Sequence, residues 1–308
     1  MNTKTKNGND NKKADTDKKV NSQKNDYKLT WLQDKTFELE LTVPKSEISK
    51  AYKEVLAEFA KNTELPGFRK GMAPAKLVED KVGKNKIYKH IIDHVVPLHY
   101  SNAVRQYGLK PIVNPKIIDL KMPEEADWLI KLSSCEAPQI KLADYKKEVA
   151  AINAKDKIWV PGKDATEKNK PDRGQKLTAI VKKLQESIEV KLPQMLLDSE
   201  RDRMLSRLLA EINKLGITLD QYVQANGKTV ESLKKEYENV ARRNLQTEFI
   251  LQEIAMTEKI QVSEEEKTAY LSQIKDEESK KQLSTPEQQA YLGLSLVRQK
   301  TIDFLLSI

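Results

Sequence analysis

The sequence predicts an α+β N-terminal domain followed by an elongated, all-α helical domain. Residues 36–43, TFELELTV, alternate apolar and polar side chains, as a half-buried strand does. Residues 46–61 instead carry apolar side chains at helical spacing, and from residue 175 onward nearly every segment has that period. Strands confined to one part of the chain and helices to the other are typical of this fold class.

The first domain is expected to span residues 27–145, with two strands, three helices and two strands in that order. YKLTWL and TFELELTV form a hairpin that Pro44 ends. The three helices are expected over 46–61, from Pro74 onward and over 85–106, where Pro97 predicts a kink and Gly108 a stop. The last two strands are expected at 116–121 and 127–136.

Residues 146–173 read as a linker, because VPGKDATEKNKPDRG mixes proline and glycine with charges. Its apolar cluster, Ile158 to Val160, is expected to dock on a flanking domain. Residues 174–308 then form the all-helical domain. Helices are expected over 176–187, 193–215, 229–259, 263–274 and 286–306, with a short helix between Gly216 and Asn226. Thr218, Ser263 and Thr285 are in position to cap helix starts.

The composition favours certain classes of binding partner and one cellular compartment. The formal net charge is +8 and the pI about 9.1, but acidic residues interrupt the basic runs, which favours a local basic contact over a dedicated nucleic-acid surface. Residues 1–26 are almost devoid of apolar side chains and predict a disordered basic tail. A lone cysteine, Cys135, and the lack of an apolar leader or membrane span predict a soluble, cytoplasmic protein.

Catalytic chemistry is poorly represented. His90 and His94 have the spacing of a metal-binding pair, but the segment HIIDH has no HExxH glutamate, and the third histidine, His99, lies five residues on. Phosphate-binding glycine loops and nucleophile-elbow motifs are also missing. We therefore predict no catalytic residue, no metal site and no cofactor.

The stretch LPGFRKGMAP, residues 65–74, is the most unusual local sequence. Gly67 and Gly71 flank Phe68, Arg69 and Lys70, and Pro66 and Pro74 stiffen the two shoulders. Such a tip can hold a ring and two cations outward for a partner with carboxylates or phosphates. Alternatively, Phe68 folds back into the core and only the cations remain in solvent.

The string Gly67-Phe68-Arg69-x-Gly71-x-x-Pro74 resembles the G-F-R-x-G-x-x-P signature of the bacterial trigger factor family. GITLDQYVQANGKTVESLKKE and VRQKTIDFLL resemble segments of that family's helical part, so the resemblance covers about 27–145 and 174–308. Family members usually carry an FKBP-like prolyl isomerase domain between these parts. Here fewer than 30 residues separate them, so the resemblance implies a variant without that domain and without its enzymatic activity.

The resemblance implies an ATP-independent chaperone that docks on the large ribosomal subunit, at protein and rRNA near the exit tunnel, and shields nascent polypeptides. Gly67, Phe68, Arg69, Lys70, Gly71 and Pro74 would form the docking loop. No membrane partner is implied. Away from the ribosome, the sequence leaves both a monomer and a weak self-dimer open. Candidate substrate contacts, whose spacing suits core packing equally well, are Met195, Met204, Leu208, Ile212, Tyr291, Leu294 and Phe304.

Two other functions stay open from the sequence. One is a prolyl isomerase with a reduced active site around Trp159, although the linker offers little material for an apolar pocket. The other is a basic RNA-binding protein, which the pI and the lysine-rich tail suggest.

Overall fold

The computed structural model describes residues 26–69, 71–155, 173–274, 276, 283 and 285–308. The strands are β1 Tyr27–Trp31, β2 Thr36–Val43, β3 Lys116–Lys121 and β4 Trp128–Cys135, in one small antiparallel sheet of order β1-β2-β4-β3. The helices are α1 Lys45–Asn62, α2 Ala75–Val82, α3 Lys84–Tyr107, α4 Tyr145–Lys155, α5 Arg173–Ser187, α6 Gln194–Lys214, α7 Leu219–Ala225, α8 Val230–Thr257, α9 Glu264–Ser272 and α10 Pro286–Ser307.

A small N-terminal sheet and a mostly helical body therefore follow each other, as predicted. The helix and strand boundaries agree with the expected ones to within three residues, and α3 continues through Pro97. Two capping boxes form at the expected residues, Thr218 with Gln221 and Ser263 with Glu266. Residues 1–25 of the tail predicted over 1–26 lie outside the described residues.

The chain divides into two compact units. Of the described residues, those within 26–28, 40–101 and 119–131 form one unit, and those within 29–39, 102–118 and 132–308 form the other. In the first unit, Leu41 and Val43 of β2 are fully buried, which is the outcome that the alternating pattern predicts. Val78 of α2 and Ile87 and Ile91 of α3 are fully buried as well.

A buried histidine adds polar contacts to the first unit. His99 is only 1% exposed, and its Nδ1 lies 3.0 Å from the hydroxyl of Tyr27. Its Nε2 lies 3.0 Å from a carboxylate oxygen of Glu47. With Nε2 protonated, the imidazole donates to Glu47 and accepts from Tyr27, so both ring nitrogens are satisfied in the interior.

The second unit has its apolar core where α4, α5, α8 and α10 meet. Each of these helices contributes buried residues to the cluster, and Ile188 directly after α5 adds one more. The cluster consists of Tyr145, Val149, Ile180, Leu184, Ile188, Ile250, Leu251, Ile254 and Leu305. Helix periodicity produces this arrangement, because residues three or four apart present one face to the neighbouring helices.

Helix α4 lies in the segment that the sequence analysis assigned to a linker. Tyr145 and Val149 are in the core cluster, and Ile152 packs against it. The Nδ2 of Asn153 donates to the carbonyl oxygen of Leu305 at 3.0 Å. The linker pattern belongs to residues downstream of α4, where proline and glycine occur; residues 156–172, including Trp159, lie outside the described residues.

Within the described ranges, no helix combines the length and the apolar character that crossing a lipid bilayer requires.

Candidate functional site

The loop between α1 and α2 consists of two consecutive turns. The backbone N–H of Phe68 donates to the carbonyl of Leu65 at 3.1 Å, and that of Met72 donates to the carbonyl of Arg69 at 2.9 Å. Gly67 and Gly71 have φ angles of 84° and 85°, which other residues rarely adopt. The two glycines are therefore required by the backbone conformation.

The tip of this loop is exposed. The side chain of Phe68 is 41% exposed and that of Met72 is 73% exposed. Arg69 is exposed as well, while Lys70 lies outside the described residues. The alternative in which Phe68 folds back into the core is therefore not the arrangement in this structure.

Both shoulders of the loop are held in place. On the α1 side, the N–H of Thr63 donates to the carbonyl of Phe59 at 2.8 Å. On the α2 side, the carbonyl of Pro74 accepts hydrogen bonds from Leu77 and Val78, and Val78 is fully buried. Pro74 thus occupies the N-cap of α2. Because the ends of the tip are fixed, less conformational entropy is lost when Phe68 and Arg69 bind a partner.

The seven candidate substrate contacts fall into different environments. Ile212 is 1% exposed and belongs to the interior, and Phe304 packs against the core cluster with the Nζ of Lys146 at 5.9 Å from its ring centroid. Tyr291 and Leu294 of α10 are 70% and 67% exposed. The remaining three, Met195, Met204 and Leu208 of α6, are half-buried.

Tyr291 and Leu294 line depressions on the surface of the helical body. The first, with a volume of about 460 Å³, lies between α8 and α10 and includes Leu294, Leu251 and Met256. The second, about 600 Å³, is bordered by α6, α8 and α10 and includes Tyr291 and Leu294. We call the two together the α8–α10 groove.

Sequence reasoning missed the α8 side of this groove. Met256 is 60% exposed, although it lies two residues from the fully buried Ile254. An apolar residue that falls off the buried face of an otherwise amphipathic helix is the signal that could have identified it.

Two ion pairs occupy the groove. An Nη1 of Arg298 lies 3.0 Å from an Oε2 of Glu248, linking α10 to α8. Within α6, Arg203 donates two hydrogen bonds to the carboxylate of Glu200, which raises the pKa of the guanidinium further. These four charged side chains on the groove walls are therefore paired.

The groups considered for metal or redox chemistry are placed differently. The ring of His90 packs edge-on against Phe59 with centroids 4.7 Å apart, and His94 lies 6.3 Å from His90. Among the described residues, no cluster of three or more histidine, cysteine, aspartate or glutamate side chains has a metal-binding arrangement. Burial raises the pKa of the Cys135 thiol to about 11, which keeps it protonated at neutral pH.

An exposed, glycine-flanked loop and an accessible apolar groove are features of a protein that binds other macromolecules. Comparison with known families specifies the class. Residues 26–164 match the model described as bacterial trigger factor protein, and residues 165–307 match the model of the C-terminus of the same protein. The chain therefore belongs to the bacterial trigger factor family.

Individual proteins of this family are also similar to the chain. Trigger factor of Pelotomaculum thermopropionicum is 21% identical over 409 aligned positions, covering 87% of this chain and 93% of the relative. Trigger factor 1 of Desulfitobacterium hafniense is 22% identical, covering 90% and 98%. A solved structure titled for promiscuous substrate recognition in folding and assembly activities of the trigger factor chaperone has a TM-score of 0.60 at 12% identity, covering 92% of this chain and 99% of that one.

The family membership establishes the function as that of a ribosome-associated chaperone, and the enzyme and RNA-binding alternatives are not favoured. The alignment with the Pelotomaculum relative also exceeds the 308 residues of this chain by 101 positions, so the relative has residues that this chain lacks. The family models found here are those of the N-terminal and C-terminal parts.

Proposed function

We propose that this protein docks near the exit tunnel of the large ribosomal subunit through residues 65–74 and shields emerging polypeptides with its helical body. The observation that carries the proposal is the exposed ring of Phe68 on a tip whose flanking glycines both have positive φ. An exposed ring at a fixed position is a candidate anchor for a partner surface.

The neighbouring cations complement the ring. The planar guanidinium of Arg69 can donate two parallel hydrogen bonds to a carboxylate or phosphate, and Lys70 adds a second positive charge. We assign Phe68, Arg69 and Lys70 to contact with a protein of the large ribosomal subunit, with rRNA nearby. Because much of such a contact is electrostatic and exposed, its affinity should fall with increasing salt.

The residues that shape the loop have a separate role in this proposal. Gly67 and Gly71 permit the two turns, and Pro74 starts α2 at the correct place. These three residues are not proposed to contact the partner. Substitution at these positions should act by moving Phe68 and Arg69.

We also propose that the chain acts in the cytoplasm, without a cofactor, and has no prolyl isomerase activity of its own. The two family models meet at residues 164 and 165, with no isomerase model between them. A proline-containing peptide should isomerise at the uncatalysed rate in the presence of the protein. A clear acceleration would contradict this part of the proposal.

Co-sedimentation with purified ribosomes tests the docking loop. Wild type should pellet with ribosomes at low salt and less at high salt, whereas the triple variant Phe68→Ala, Arg69→Ala, Lys70→Ala should remain in the supernatant. A matched control replaces Lys234, Lys235 and Arg242 on the exposed surface of α8 with alanine, which removes more positive charge than the loop variant does.

The outcomes separate specific docking from general charge. If the loop variant pellets as wild type does, the loop is not the anchor. If the α8 control loses binding to the same extent, net charge rather than the loop determines ribosome binding. A weak self-dimer away from the ribosome is part of the proposal, and sedimentation velocity over a range of protein concentrations checks it.

A further inference from the structure

The α8–α10 groove is divided at a single place. Glu248, Leu294 and Arg298 line both of its depressions, so these three residues form the boundary between them. The ion pair between Arg298 and Glu248 spans this boundary at 3.0 Å. The groove is therefore one site with two compartments and a charged pair between them.

The two compartments differ in chemistry. The walls of the first are mainly apolar, with Leu251, Ala255, Met256, Ile260 and Val297. The second has mainly polar walls, with Glu200, Arg203, Asn244, Thr247 and Ser295. An occupant that crosses the boundary thus meets an apolar environment on one side and a polar one on the other.

The ion pair at the boundary retains hydrogen-bonding capacity. The side chains of Arg298 and Glu248 are 52% and 51% exposed. A guanidinium has five N–H donors and a carboxylate has about four acceptor positions, so one contact between them leaves others accessible. Together they offer a donor and an acceptor side by side, which complements the C=O and N–H of an extended peptide.

We propose that the Arg298–Glu248 pair binds the main chain of an unfolded polypeptide, and that the first compartment takes a large apolar side chain of that segment. The inference rests on the proposed shielding function and specifies the substrate class: an extended segment with one large apolar residue next to a polar one. Main-chain hydrogen bonds depend little on sequence, so such a site accepts many substrates while the apolar compartment selects the register.

An unfolded segment fits this site better than a second copy of the chain does. Ligand-binding clefts have volumes of about 300–1,000 Å³, and each compartment is within that range. A folded partner needs roughly 800 Å² of matching surface per subunit, whereas the exposed apolar residues here border concave depressions that single side chains can enter. The paired charges of the second compartment also give no net attraction for a polyanion.

We call the Arg298–Glu248 pair, in its proposed contact with a peptide main chain, the clamp. Fluorescence anisotropy with two short labelled peptides tests the clamp in the full chain. Both peptides contain one leucine in a background of asparagine, serine and glycine, and one of them is N-methylated on both sides of the leucine. Wild type should bind the unmethylated peptide at least about fivefold more tightly than the methylated one, because N-methylation removes the backbone N–H groups that would donate to Glu248. Arg298→Gln should weaken the unmethylated peptide by a similar factor, because Glu248 loses the partner that positions its carboxylate.

The apolar compartment is tested with Leu294→Ser, which should weaken both peptides about fivefold or more. Leu294 is 67% exposed, so this change leaves the core intact. Two controls should bind as wild type does: Arg242→Gln, which breaks an exposed ion pair with Glu238 on α8, and Leu215→Ser, which alters a leucine that is 75% exposed outside the groove.

Several outcomes would overturn the clamp. If wild type binds the two peptides with equal affinity, the proposed main-chain contact is contradicted. If Leu215→Ser weakens peptide binding as much as Leu294→Ser does, the peptides bind a diffuse apolar surface and not the groove. A dimer that dissociates when Leu294 is changed identifies a second copy as the occupant. If no variant changes peptide binding while wild type still prevents aggregation of an unfolded protein, the clamp fails and the proposed function stands. If wild type does not prevent the aggregation of an unfolded protein, the proposed function is contradicted.

Discussion

The α1–α2 loop and the α8–α10 groove both expose apolar side chains, but their geometries arise from different sources. In the loop, the local backbone conformation positions the ring of Phe68, and the positive φ angles of Gly67 and Gly71 define that conformation. In the groove, helix packing places several side chains at once, and the core beneath α8 and α10 supports them. The difference teaches that a single fixed partner can be recognised by a short, rigid turn, whereas varied partners need an extended surface.

The two regions should therefore fail independently. Damage to the core of the helical body should affect the groove and spare the loop, and distortion of the loop should spare the groove.

The largest effect is expected from Ile254→Ala in the core cluster. Ile254 is fully buried, and removing its side chain leaves a cavity that should lower the free energy of unfolding by about 2–5 kcal/mol. Urea unfolding measures this, with Met256→Ala on the exposed side of α8 as a control that should change it by less than about 0.5 kcal/mol. Ribosome co-sedimentation under native conditions should remain as in wild type; its parallel loss would show that the two regions are coupled.

A smaller effect, on binding rather than folding, is expected from Gly67→Val. A β-branched residue at φ 84° is strained by roughly 1–3 kcal/mol. The loop should relax to another conformation, and ribosome affinity should fall about tenfold.

The matched control for this change is Gly227→Val, at φ 63° in the turn before α8. It introduces comparable strain away from the loop. Melting temperatures of the two variants should be similar, and only Gly67→Val should lose ribosome binding. If both variants bind as wild type does, the shape of the loop does not matter for docking.

Thr285→Ala should have a local effect on the wall of the groove. The hydroxyl of Thr285 accepts a hydrogen bond from the N–H of Gln288 at the start of α10, and removing such a cap costs about 1 kcal/mol. Hydrogen exchange should accelerate in the first turn of α10. Ser307→Ala at the opposite end of the helix is the control, and exchange that is unchanged in both variants would contradict the capping role.

The smallest effect is a pH dependence from Glu258. A hydrogen bond from Lys146, and a second one from Tyr145, lower the pKa of this carboxyl from its ordinary value of 4.5. The ionised group therefore stabilises the fold above about pH 4.5, and this stabilisation is lost as the pH falls through the lower folded-state pKa. Denaturant unfolding at several pH values should show that Glu258→Gln reduces this dependence; an identical pH profile for the two proteins would contradict it.

Much of the fold could be predicted because periodicity reports directly on burial. The alternation in β2 identified that strand and its buried face, and helical spacing identified the helices α1, α3 and α8. Helix α4 was missed because its apolar residues, among them Val149, are few, and a strong linker pattern follows them. Its burial depends on contacts with α10, more than a hundred residues away, which local sequence does not reveal.

The site was only partly accessible to the same reasoning. Glycines on both sides of Phe68 predicted a tight tip but left open whether its ring is exposed or buried, and the structure has the ring 41% exposed. In the helical body, Tyr291 and Ile212 have similar apolar spacing, yet one is 70% exposed and the other 1%. The distinction depends on which helices cover each face, and that is tertiary information.

The hydrogen bond from Asn153 to the carbonyl of Leu305 joins residues 152 positions apart in the chain. During synthesis, α4 and α5 therefore leave the ribosome long before the helix that completes their core. At translation rates of about 5–20 residues per second, that interval lasts roughly 8–30 seconds. Throughout it, Val149 lacks the cover that Leu305 provides in the finished core. A chaperone of newly made chains thus spends its own synthesis as an incomplete chain, and a mature copy on the same ribosome would be well placed to shield it.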